Sequence, residues 1–135
     1  MYICSVNATK KSIRVCIQDP ETGIIEWFKE FTSDTSNIQD RILEGLKLGF
    51  EKLIPLAFGD TILVETQNYI IYNWLQQLKA PKSHRELFNS LLQIWNKVDG
   101  VFELIWNKHP MASRKVNYVE EAEETIPLTD LVDMD

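Results

Sequence analysis

Glu65 is the residue whose position most suggests chemistry. It ends a short apolar run, Ile62-Leu63-Val64, and is followed by the polar trio Thr66-Gln67-Asn68. From Tyr69 the apolar spacing turns helical, through Ile70, Trp74, Leu75 and Leu78, so residues 61–78 read as a strand running straight into a helix. In open α/β sheets, ligands gather beyond the carboxyl ends of strands. Glu65 and Thr66 therefore stand where a carboxylate could move protons or hold a hard cation. An exposed loop position is the simpler alternative for Glu65. The two cysteines, Cys4 and Cys16, could meet across a hairpin, but reduced core thiols in a reducing, cytoplasmic compartment are the expectation.

The elements that must position these groups follow from periodicity. Residues 2–8 and 11–18 read as two strands joined by a short polar link, with Ile13, Val15 and Ile17 in clean alternation. Asp19-Pro20-Glu21-Thr22-Gly23 is a turn, and residues 24–31 form a third strand. Ile42, Leu43, Leu46, Phe50, Leu53 and Ile54 recur at helical spacing over 37–54. Within that helix, Gly45 and Gly49 lie four apart, cost helix propensity and let the helix approach a neighbour closely. The fourth strand and second helix are the opening stretch. Ser83-His84-Arg85-Glu86 has the pattern of a capping box for a third helix whose stripe is Leu87, Leu91, Ile94, Trp95 and Val98. Asp99-Gly100 reads as a turn, residues 101–106 as a fifth strand and 112–124 as a last helix. The predicted class is α/β, a mixed five-stranded sheet with three antiparallel strands, then two parallel ones, and helices on both faces. The predicted domain is 1–124, followed by an acidic tail, 125–135, expected to be loosely ordered.

This order of elements, over residues 1–124, resembles ribonuclease H. That family carries an Asp on its first strand, a Glu in its first helix, an Asp at the end of its fourth strand, an Asp in its last helix and a mobile His before it. The resemblance implies a cluster of carboxylates holding two Mg²⁺ ions that cleave a phosphodiester. Matched residue by residue, Asn7 takes the place of the first Asp, and an amide oxygen is a weaker ligand because it lacks a full negative charge. Asp40 matches the helix Glu, with Glu44 one turn on. Either Glu65 or Thr66 takes the fourth-strand Asp. His109, after Trp106-Asn107-Lys108, matches the mobile His, and Glu121 the last Asp, although an ungapped count from His109 reaches Val119 instead. The Gly-rich first hairpin and the basic, Trp-rich protrusion of bacterial members have no counterpart.

Bland roles remain for each residue. Asn7 can simply end a strand, Asp40 can favour a helix dipole, and Glu120, Glu121, Glu123 and Glu124 can form a solvated face. Trp106 before the loop can pack on the sheet or stack a base. The formal charge of −6 weakens the case for a general nucleic-acid binder. No apolar run is long enough to span a membrane. These points favour a catalytically degenerate domain that binds a protein partner, through its surface or its acidic tail, with nucleic acid bound weakly and through Asn7, Thr66 and Trp106 if at all. The small size suits a viral or mobile-element accessory protein. No cofactor is expected for that role. The competing reading is a Mg²⁺- or Mn²⁺-dependent nuclease using Asp40, Glu65 and Glu121, with His109 assisting.

Overall fold

The computed structural model describes residues 1–10, 12–33 and 37–113. The alternating runs form five strands, β1 (Tyr2–Ala8), β2 (Ile13–Gln18), β3 (Ile25–Phe31), β4 (Phe58–Thr66) and β5 (Asp99–Trp106). The helical runs form α1 (Ile38–Leu53), α2 (Tyr69–Gln77) and α3 (Arg85–Trp95). The sheet order is β3-β2-β1-β4-β5. The first three strands form an antiparallel meander, and β4 and β5 run parallel to β1. That is the mixed sheet expected from a meander followed by helical crossovers.

Strand alternation assigns the two faces. Cys4, Val6, Ile13, Val15, Ile17, Ile62 and Val64 pack with α1, α2 and α3 in one buried cluster. Cys16 and Phe28 face the other way and pack with Ala112 and Met111 of a 3-10 turn, Met111–Ser113. Among the described residues, the three α-helices thus share one face and only this turn covers the other. The last helix expected at 112–124, its Glu121 and the acidic tail lie outside the described residues, apart from Ala112 and Ser113 at its start.

The close approach inferred for Gly45 and Gly49 is real. A Cβ at Gly45 would lie 2.8 Å from Val6 Cγ1 and Ile13 Cγ2, and one at Gly49 would lie 2.7 Å from Cys4 Sγ. Any larger residue would push α1 off the sheet. At the far end, Phe50 meets Trp95 edge-on at 5.5 Å, and Trp95 lies 4.2 Å from Phe102, so α1, α3 and β5 lock through aromatic contact.

Two local expectations are corrected, and an open alternative for the cysteines is decided in favour of the expected core thiols. Asp99 and Gly100 are not a turn but begin β5, paired with Phe58 and Asp60; a Cβ at Gly100 would meet Asp60 O at 2.7 Å. The capping box at Ser83 does not form. Pro81 leads into a 3-10 turn, Lys82–His84, so α3 starts one residue later, at Arg85, and its N-cap, His84, makes no side-chain cap bond. Cys4 and Cys16 do not face each other, because the register sets Cys4 opposite Ile17 and Cys16 opposite Ser5. Both thiols are free and buried. Burial pushes both up, Cys16 to about 12, with the Glu65 carboxylate as a further cause there.

Candidate functional site

The end of β4 divides the candidate residues between the two faces. Thr66 continues the row of Ile62 and Val64 towards the helices and is 1% exposed. Its Oγ1 accepts from Asn68 N–H at 3.2 Å, an internal turn bond. Asn68 in turn caps α2 by accepting from Ile71 N–H at 3.0 Å. The polar trio after Glu65 is therefore the device that turns the strand into a helix. Gln67 completes it by clamping the end of β1, donating to Ala8 O and accepting from Ala8 N–H.

Glu65 points to the opposite face. Ser5 is its register partner across the parallel ladder and donates to Oε1 at 3.0 Å. Asn107 Nδ2 donates to Oε2 at 3.1 Å, and Met111 N–H donates to Oε1 at 2.7 Å. Ser5 Oγ also accepts from Ala112 N–H at 2.9 Å. The carboxylate thus holds the segment from Asn107 to Ala112 against the sheet. Asn7 lies on this same face, two residues beyond Ser5 and largely buried. His109 is exposed in the held loop, its N–H donating to Asn107 Oδ1 at 3.1 Å.

Asp40 belongs to the helical layer. Asn37 caps α1 by accepting from Asp40 N–H at 3.1 Å. The Asp40 carboxylate bonds His84 Nδ1 at 2.6 Å, and the His84 ring lies 5.0 Å from the ring of Trp74. Asp40 lines a cleft of about 360 Å³ with Ser83, Glu86, Leu87 and Ser90. Glu44, one turn on, accepts from Ser33 Oγ at 3.1 Å. His84 escaped the sequence reading because its partner, Asp40, is far away in the chain and no local spacing links them.

The sheet therefore lies between the two candidate carboxylates. Glu65 and Asn7 share one face, whereas Asp40 and Thr66 share the other. Among the described residues, no three of His, Cys, Asp and Glu come together closely enough to hold a metal ion. The described residues do not fit a two-ion centre. Trp106, level with Thr66 on β5, packs against neither carboxylate. Its Nε1–H donates to Gln67 O at 3.0 Å, and its ring is partly open. No described helix is long and apolar enough to cross a membrane.

No family model matches the chain, and no curated protein matches it in sequence. Solved structures do match in shape. RNase H1 from the halophilic archaeon Halobacterium salinarum superposes with a TM-score of 0.63 at 10% identity, over 78% of this chain and 86% of that one. Another RNase H1, solved in complex with an RNA/DNA hybrid, gives 0.59 at 20% identity over 80% and 87%. The RNase H domain of prototype foamy virus gives 0.54 at 9% identity over 96% and 89%. Strand order and strand directions agree with these neighbours, and the chain has the ribonuclease H-like fold.

Proposed function

We propose that this chain is a catalytically degenerate ribonuclease H-like domain that acts by binding rather than by hydrolysis. The observation that carries this reading is the placement of Asp40 and Glu65 on opposite faces, each engaged in a bond that holds the fold together. Glu65 accepts from Ser5, Asn107 and Met111, and Asp40 bonds His84. A pair of Mg²⁺ ions needs several carboxylate oxygens converging on one point. Asn7 brings an amide where the resemblance asks for a charge. A protein partner suits this role.

The test is incubation of the purified chain with an RNA/DNA hybrid in millimolar Mg²⁺ or Mn²⁺. Intact hybrid is expected, together with a melting temperature that the metal leaves unchanged, since a ligand binding only the native state would raise it. Cleavage abolished by Glu65→Gln would sink the reading. The runner-up, a divergent metal-dependent nuclease using Asp40, Glu65, Glu121 and His109, draws on one observation: a structural neighbour of this chain was solved with a hybrid.

A further inference from the structure

The start of α2 and the end of β5 build an aromatic surface that neither the core nor the Glu65 clamp uses. Tyr69 stands edge-on to Trp106 with ring centres 5.4 Å apart and stacks on Tyr72 at 5.9 Å. The polar handles of the flanking rings are fixed locally. Trp106 Nε1–H donates to Gln67 O, and Tyr72 Oη accepts from Gln76 Nε2 at 2.9 Å. Yet Tyr69 is 55% exposed, Ile70 47% and Trp106 41%. Large rings clustered and left open to water mark a place of contact.

Charge identifies what makes contact. The chain holds 20 Asp and Glu, but none falls in residues 66–85 or 104–119. Residues 1–119 contain all 14 Lys and Arg and 13 of the acids. Residues 120–135 contain the other seven acids and no base, so those last residues carry −7 and the rest of the chain +1. The segments that carry Tyr69 and Trp106 thus contain no acid, although Asp40 meets His84 beyond the far end of α2. Glu65 and Glu103, on the adjoining strands, alternate to the other side of the sheet. Lys108 comes two residues after Trp106. Lys10 comes two residues after Ala8, whose backbone is bonded to Gln67, the residue that also holds Trp106.

We propose that this surface binds single-stranded nucleic acid, with bases stacking on Tyr69 and Trp106 and phosphates meeting Lys108 and Lys10. Every base offers a π-face, so stacking tolerates sequence, and cations along the groove track the backbone. A duplex keeps its base faces inside and gives these rings nothing. An extended peptide would seek free side-chain donors, whereas the Trp106 N–H is already committed and the flanking lysines favour a polyanion. The proposal goes beyond the reading of a degenerate domain and does not depend on it.

The experiment measures fluorescence anisotropy of labelled oligothymidylate and oligouridylate of about 15 nucleotides with the full chain. A duplex and a proline-rich peptide serve as competitors. Binding to one or both single strands is expected, the stronger arm showing whether DNA or RNA is preferred. It should weaken with salt, and duplex should compete at least tenfold less well. Tyr69→Ala and Trp106→Ala should each weaken binding about tenfold, while Tyr69→Phe, which keeps the ring, should bind as wild type. Lys108→Ala should lower the log–log salt slope by about 0.7. Tyr69 is exposed, so its variants keep the native melting temperature and remain informative even if Trp106→Ala does not fold. The proposal falls if neither strand binds at low salt, if Tyr69→Ala binds unchanged, or if duplex or the peptide binds better. Hybrid cleavage would overturn the degenerate-domain reading and leave this one standing; absence of strand binding would do the reverse.

Discussion

Glu65 takes hydrogen bonds from Ser5, Asn107 and Met111, and that number of donors fixes what replacing it does. Glu65→Ala leaves three donors without their acceptor on a part-buried face, so a loss of about 2–4 kcal/mol is expected in urea unfolding. Glu65→Gln keeps one oxygen acceptor and the shape, and should cost about half as much. An unchanged urea midpoint for Glu65→Ala would mean that the segment from Asn107 to Ala112 is held by something else. Cys16 offers a second test through pH. Its native thiol is pushed from 9.0 up to about 12 by burial first and Glu65 second. The unfolded chain therefore loses this proton at a lower pH than the native chain does. The contribution is complete below pH 9, and stability falls as pH rises from there to about 12, by up to roughly 1.4 kcal/mol per unit for each such thiol. Cys16→Ala should flatten the fall between pH 8.5 and 10.5, with Cys4 supplying the remainder.

At the scale of elements, two effects compete at Gly49. An alanine gains about 1 kcal/mol of helix propensity, but its methyl would sit 2.7 Å from the buried Cys4 Sγ and 3.1 Å from Val15 Cγ1. Overpacking of a rigid core costs about 1–3 kcal/mol, and the sulfur is fully buried, so a net loss of stability is expected on denaturant titration. The cap of α2 is simpler: Asn68→Ala removes the acceptor of Ile71 N–H and should cost about 1 kcal/mol. His84 ties α3 to α1 through Asp40. Its replacement by alanine should cost about 1–2 kcal/mol, a charged-group hydrogen bond discounted for partial exposure. Spacing alone revealed Gly45 and Gly49, because a pair of small residues four apart shares one helix face. The cap at Ser83 misled, because Ser83-His84-Arg85-Glu86 satisfies a local pattern that the 3-10 turn after Pro81 overrides.

Over the described residues, the polypeptide pattern was enough to specify the five strands, the three α-helices, the meander and the parallel pair. Period-two and period-3.6 apolar spacing are local properties, and the right-handed crossover leaves few ways to join them. It also marked Glu65, Asp40, Trp106 and Asn7 as the residues to follow. It did not settle which of them meet. A carboxylate at a strand end reverses its face with a shift of one residue, and a helix turns its Asp to the sheet or to a neighbouring helix according to packing far along the chain. Tertiary structure set Glu65 against Ser5 and Met111, set Asp40 against His84, and left Trp106 beside Tyr69. Those contacts join residues tens of positions apart, and strand pairing together with the packing of helices and a 3-10 turn on the sheet brings them within hydrogen-bonding or stacking distance.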